Sequence, residues 1–186
     1  MHYQPQRHLL QDRIILVTGA SDGIGREAAL TYSRYSASVI LVGRNEEKLR
    51  SVAHEIQQAG GIPARWFTLD LLTCTPQECQ QLAQKIAIHY PRLDGVLHNA
   101  GLLGDVCPMD QQKPEVWQQV MQVNVNGTFM LTQALLPGLR RSESADIIAI
   151  ISACGIPNFT DSIAHPAFFA SKHGLSGFTT KLSEHL

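Results

Sequence analysis

Arg13-Ile14-Ile15-Leu16-Val17-Thr18-Gly19-Ala20-Ser21-Asp22-Gly23-Ile24-Gly25 is the stretch that decides the fold. Its first five residues form a continuous apolar run of strand length, as a parallel strand covered on both faces requires. The next eight place three glycines between that strand and an expected helix. Glycine suits a sharp turn, lets backbone come close to a diphosphate, and lets the helix pack tightly on the strand. The unpaired N–H groups and positive end of the helix then face the anion. Position and spacing together point to dinucleotide binding rather than to a plain turn.

Outward from this unit, strand-like and helical runs alternate. Strands are expected over 38–42 (SVILV), 64–69 (ARWFTL), 93–97 (LDGVL) and 146–151 (DIIAII). Asn45 can cap a helix with apolar positions Leu49, Val52, Ala53 and Ile56, and Gly60-Gly61 supplies a left-handed stop. Thr75-Pro76-Gln77-Glu78 reads as a capping box with proline at the first helical position, ahead of a stripe of Cys79, Leu82, Ala83 and Ile86. A longer helix is expected from Pro114 to about Leu136, with a bend near Asn124 to Gly127. Five strands joined by helices give a doubly wound α/β protein with an open parallel sheet, and one domain over 1–186.

The second strand ends Val42-Gly43-Arg44-Asn45. An acid there would bind the ribose of NAD, whereas a guanidinium can grip the 2′-phosphate of NADP. Arg44 therefore favours NADP(H) over NAD(H), against the plainer reading of a solvated arginine at a helix start.

Composition narrows the function classes. Fifteen basic and sixteen acidic residues leave a net charge of −1, which argues against sequence-independent nucleic-acid binding. No apolar run is long enough to suggest a membrane span, and the N-terminus lacks the apolar core of a secretory signal. Cys74, Cys79, Cys107 and Cys154 form no metal-type cluster and read as reduced thiols, which places the protein in the cytoplasm.

The set TGASDGIG at 18–25, Asp70 after the third strand, His98-Asn99-Ala100-Gly101 after the fourth, VNVNG at 123–127 and Ala170-Ser171-Lys172 resembles the short-chain dehydrogenase/reductase family. The first 137 residues are similar to its YciK-type bacterial oxidoreductases, themselves close to oxoacyl-acyl carrier protein reductases. The resemblance implies a Rossmann-type fold and hydride transfer between NADP(H) and a small-molecule carbonyl or alcohol. It implies that Gly19, Ser21, Gly23, Ile24 and Gly25 line the diphosphate, and that Asp70 and Leu71 meet the adenine. Asn99, Ala100 and Gly101 would wall the riboses, although His98 stands where the family more often has asparagine. Asn124 would hold the water of a proton relay and Lys172 the nicotinamide ribose. It also implies a homo-oligomer paired through the helices starting near Pro114 and Pro166. Taken singly, Asp70 reads as a turn residue, Asn124 as a helix bend and Lys172 as a solvated cation.

The pattern breaks at its centre. The family places a tyrosine four residues before the lysine to carry the proton, with its pKa lowered by the lysine cation. Here Phe168 stands there, and Tyr3, Tyr32, Tyr35 and Tyr90 all precede the fourth strand. The fifth strand ends Ile151-Ser152-Ala153-Cys154-Gly155, which aligns Ala153 with the family's second serine and leaves Ser152 to serve under a one-residue shift. Ser162 is a weaker candidate. His165 and His173 flank the motif and read as surface or capping residues. The chain is shorter than is usual in the family, which would leave the fifth strand at an open edge. Three readings follow: an NADP(H)-dependent oxidoreductase, a non-catalytic NADP(H)-binding protein, and a truncated domain whose helices mediate self-association.

Overall fold

The computed structural model describes residues 5–156 and 165–182, so Ser162 and Tyr3 lie outside the described residues. Five strands, β1 (Ile14–Thr18), β2 (Ser38–Gly43), β3 (Arg65–Thr68), β4 (Gly95–His98) and β5 (Asp146–Ala149), form one sheet in the order β3-β2-β1-β4-β5. All four pairings are parallel. The chain winds outward from β1 to β3, then returns to place β4 and β5 on the other side. The order therefore reverses between β1 and β4, which opens a crevice at their C-terminal ends.

Alternate residues of each central strand feed two cores. Leu16, Ile40, Val42 and Val96 pack with Leu82 and Ile86 of α3 (Pro76–His89) and with Leu131, Leu135 and Leu139 of α5 (Thr128–Leu139). Val17, Val39, Leu41 and Leu97 pack with Leu30 of α1 (Gly23–Arg34) and with Leu49, Val52 and Ile56 of α2 (Glu46–Gln58). Burial on both faces is why these strands read as unbroken apolar runs.

The helix ends follow their sequence signals. Asn45 accepts from Lys48 N at 3.0 Å, and Gly60 takes φ +81° beyond the C-terminus of α2. Thr75 and Glu78 cap each other's backbone ahead of α3. The expected bend is a π-helical turn over Gln122–Gly127, joining α4 (Pro114–Met121) to α5.

Strand limits move by one or two residues. β4 begins at Gly95 rather than at Leu93, because Leu93 N donates to Gly138 O and Asp94 binds Ile14 N with its carboxylate. β5 ends at Ala149 rather than at Ile151, because Lys172 takes the Ile150 carbonyl that would extend the ladder. Among the described residues β5 is an edge strand, with Ile148 exposed. The last described helix is α6 (Pro166–Leu182).

Candidate active site

The glycine turn after β1 is built against Asn99. Thr18 Oγ1 accepts from the amides of Asn99 and Ala100, both at 3.1 Å. Asn99 Nδ2 donates back to Thr18 O at 3.2 Å and Gly19 O at 3.4 Å. Gly19 has φ +64°, and a Cβ on it would lie 2.8 Å from Asn99 Nδ2. A Cβ on Gly25 would collide with Asn99 Nδ2 and Gly19 O. These two glycines are demanded by packing within the chain. Gly23 differs: its φ of +52° suits glycine, yet nothing stands within 4 Å of its missing Cβ. That open space lies beside the first turn of α1, where the amides of Ile24 and Gly25 have no acceptor among the described residues. Asp22 caps Gly23 N at 2.9 Å and pairs with Lys48 Nζ at 2.7 Å. The lysine hydrogen bond, followed by the Gly23 amide, holds the Asp22 carboxyl below its ordinary pKa.

A cleft of about 410 Å³ opens at the switch point, walled by Gly19, Ser21, Asp70, Leu71, Asn99 and Gly101 among others. Ala100 and Arg44 also line it. Gly23, Ile24 and Gly25 stand outside its wall, and the Ile24 side chain is 65% exposed; the backbone amide is what Ile24 can offer an anion. Arg44 is exposed and makes no ion pair or hydrogen bond among the described residues. It also lines an adjoining cavity of about 550 Å³ beside β3 and α3. Asp70 acts as a turn residue as well: its carboxylate accepts Leu72 N at 3.0 Å and its carbonyl accepts Cys74 N at 2.9 Å.

The π-helical turn delivers Asn124 to the end of β4. Its side chain is fully buried, accepts Leu102 N at 2.7 Å, and donates to Leu102 O at 3.0 Å and Ser171 Oγ at 2.9 Å. Ser171 in turn donates to Phe168 O at 2.7 Å. Asn124 is therefore a clamp between the loop after β4 and α6, with both amide protons committed; a water relay would fall to its main chain.

Lys172 is 4% exposed, and its Nζ donates to Ile150 O at 2.6 Å and sits 5.4 Å from the Phe168 ring centre. Burial lowers its pKa below the ordinary lysine value, opposed by the neighbouring Cys154. A Cβ on Gly101 would lie 3.4 Å from Asn124 Oδ1 and 3.6 Å from Lys172 Nζ. The structure thus brings Gly101, Asn124, Phe168 and Lys172 together. Ser152 stands apart: it is exposed, its hydroxyl has no partner among the described residues, and its backbone lies at φ +60°, ψ 167°.

His98 turns away from the cleft into the core. Thr132 Oγ1 spends its proton on Thr128 O at 2.7 Å, so the 2.9 Å contact with His98 Nε2 requires Nε2–H to donate. Nδ1 is left buried without a partner among the described residues, and burial lowers the pKa to about 4, which favours the neutral ring. His173 is exposed, bonds Phe169 O at 3.1 Å and stacks on the Phe169 ring. His165 meets the Phe168 ring edge-on at 6.3 Å, its Nδ1 buried without a partner among the described residues. The four cysteines are free thiols. Among the described residues no metal-binding cluster occurs, and no helix is long and apolar enough to cross a membrane.

Sequence reasoning missed Thr18 and Ser171 as organisers, although both lie inside motifs it quoted. It also missed Thr132, for which no local signal exists.

Comparison with known proteins agrees with this geometry. The profile of the short chain dehydrogenases matches residues 13–186. The uncharacterized oxidoreductase YciK of Escherichia coli strain K12 is 62% identical over 184 residues, which cover 99% of this chain and 72% of that protein. The 0.95 Å structure of yciK from E. coli superposes with a TM-score of 0.95 at 62% identity, covering 100% of this chain and 75% of that one. A short chain dehydrogenase from E. coli CFT073, crystallised with NADPH, gives a TM-score of 0.93 at 61% identity, covering 97% and 74%.

Proposed function

The chain belongs to the short chain dehydrogenase family of oxidoreductases, and on that premise we propose that it binds NADP(H) in the switch-point cleft and acts on a small carbonyl or alcohol compound. The observation that carries the proposal is the turn at Gly23, with open space and free amides at the start of α1, next to a cleft that Gly19, Ser21 and Asp22 share with Arg44, which has no partner among the described residues. These residues fit the cofactor. In this reading the amides of the turn, with Gly19, Ser21, Gly23, Ile24 and Gly25, hold the diphosphate. Arg44 holds the 2′-phosphate, Asp70 and Leu71 border the adenine, and Asn99, Ala100 and Gly101 wall the riboses. The crystallised relative with NADPH supports it.

The bound cofactor would supply a hydride to the carbonyl carbon. In this reading Lys172, beside Gly101, bonds the ribose hydroxyls after releasing Ile150 O. Asn124 keeps Lys172 and the Gly101 loop in register through Ser171. Ser152 would orient the substrate oxygen from the end of β5. The oxygen's proton must come from water or another group, since Phe168 has no hydroxyl. Tyr32, Tyr35 and Tyr90 sit before β2 and β4, at the opposite edge of a parallel sheet, and cannot reach. Losing a positioned acid slows such steps by about 10²- to 10⁴-fold.

A second reading is favoured by one observation: Lys172 is buried under Phe168 with its Nζ on a carbonyl. A protein so arranged would bind NADP(H) without turning over. For assembly, we infer pairing through the helices starting near Pro114 and Pro166, where exposed Phe129 meets Phe178 edge-on at 6.1 Å; sedimentation as a monomer would remove that inference.

Titrating NADPH and NADH against the fluorescence of Trp66 and Trp117 tests the cofactor assignment. Tighter NADPH binding that Arg44→Ala abolishes is the expected result. Equal affinities in the parent would strip Arg44 of its role.

A further inference from the structure

We infer that a second site, remote from the cofactor cleft, binds a medium-chain carboxylate in the groove between α3 and α5. Both helices run antiparallel to the strands they join, so their C-terminal halves come down to the N-terminal edge of the sheet. The groove there has a volume of about 270 Å³, and none of the residues that wall it also walls the cleft at the opposite edge. Its floor is Ile86, Leu93 and Leu135, all buried, with Ala83, Ala87 and Ala134 on its flanks. Apolar carbon thus lines it on both helices, which suits an alkyl chain. At about 30 Å³ per water-sized group the groove has room for about nine such groups, the size of octanoate.

Charge is confined to one end and has one sign. The groove follows α3 from Gln80 to Ala87, about 10 Å at the helical rise, and follows α5 from Ala134 down to Arg141. Arg92 and Arg141 stand at this lower end, and no acidic side chain lines the groove. Arg92 is committed: its Nε donates to the Asp94 carboxylate and its Nη2 to Asp12 O, both at 2.8 Å. Asp94 is also saturated by Ser142 and Ile14 N, and Asp12 and Glu143 act on Arg92.

Arg141 is anchored differently. Its Nε donates to Pro91 O at 2.6 Å, which fixes the guanidinium, while its remaining N–H groups have no partner among the described residues. A Cβ on Gly138 would lie 3.5 Å from Leu93 and 3.8 Å from Arg141 Nη2. The missing side chain therefore leaves a space with apolar carbon on one side and the guanidinium on the other. An apolar trough that ends in an anchored guanidinium with donors to spare matches a single chain bearing one carboxylate head.

The test is calorimetry on the full chain with octanoate, butanoate and octylamine, each with and without saturating NADPH. Octanoate should bind about 10- to 100-fold more tightly than octylamine, which carries the same chain and the opposite charge. It should exceed butanoate by about 3- to 4-fold for each methylene that enters the groove. NADPH should leave its affinity unchanged, which separates this site from the cofactor reading. Arg141→Gln should weaken octanoate about 10-fold or more. Gly138→Ala puts a methyl group into the groove at ordinary contact distances; Tm should hold or rise, because alanine replaces glycine in a helix, while octanoate binds more weakly. Octylamine that binds as tightly, a flat dependence on chain length, or octanoate displaced by NADPH would overturn the inference. So would unchanged octanoate binding in the two variants; if Gly138→Ala then alters sedimentation, the groove is a contact between protein chains.

Discussion

Gly19 and Gly23 stand four residues apart in one turn, yet substitution by alanine should separate folding from ligand binding. At Gly19, alanine must adopt φ +64° at about 1–2 kcal/mol. Its Cβ would also meet Asn99 Nδ2 at 2.8 Å and the Ala100 backbone at 3.0 Å. Backbone cannot step aside, so Asn99 must move and give up its bonds to Thr18 O and Gly19 O, at about 1 kcal/mol each. The sum, about 3 kcal/mol, corresponds to a fall in Tm of about 6–12 °C for a domain of this size. At Gly23 the left-handed backbone adds a similar first cost, but nothing surrounds the new Cβ, so Tm should fall by only about 2–8 °C. Affinity should show the reverse emphasis. A methyl group at Gly23 would hold an anion off the amides of α1, and losing one charge-assisted bond weakens binding by about 10- to 100-fold. Differential scanning fluorimetry and NADPH titration on the two variants provide the check. Wild-type NADPH affinity in Gly23→Ala would refute the placement of the diphosphate; a Gly19→Ala variant no less stable than Gly23→Ala would refute the packing argument.

Phe168→Tyr should raise NADPH-dependent carbonyl reduction by about 10²- to 10⁴-fold; no gain would locate the block elsewhere in the site. Ser152 sits at φ +60°, ψ 167°, a region that favours glycine, so Ser152→Gly should raise Tm by about 2–4 °C, or about 1 kcal/mol, and an unchanged Tm would mean the strain is absent. Burial alone would raise the pKa of Asp94, but hydrogen bonds from Ser142, Arg92 and Ile14 N outweigh it and hold the carboxyl below its ordinary value. Its contribution is therefore complete above the unfolded pKa of about 3.9 and is lost as pH falls from there through the folded value. Asp94→Asn should lower Tm at neutral pH and flatten the acid limb of the Tm–pH curve; an unaltered acid limb would count against it.

The parts of this fold that were legible are those written in neighbouring residues. The apolar runs of β1 and β2, the Asn45 and Thr75 caps and the left-handed Gly60 each depend on positions within one turn or one strand. What escaped depends on partners far along the chain. Thr18 gathers the amides of Asn99 and Ala100 from some eighty positions away, and His98 faces inward because Thr132 waits on α5. The same holds for the early end of β5, fixed by Lys172 on α6. In the cleft, the glycine motif was legible, but its division of labour was not. That two of its glycines make room for Asn99 while the third leaves space open is a fact of packing.

The π-helical turn over Gln122–Gly127 has a consequence for how this chain tolerates change in length. One extra residue in a regular α-helix would shift the phase of everything downstream by about 100°, and a π turn absorbs it locally instead. Val120 before the turn and Leu131, Leu135 and Leu139 after it are all buried, and Asn124 sits at the joint. Excising one residue from this stretch would restore a continuous α-helix with both apolar stripes still on the sheet, losing only the widened turn that carries Asn124 to Leu102. The same deletion within α5 itself has no such slack and would act like a gear slipping one tooth, turning the stripe beyond it off the sheet.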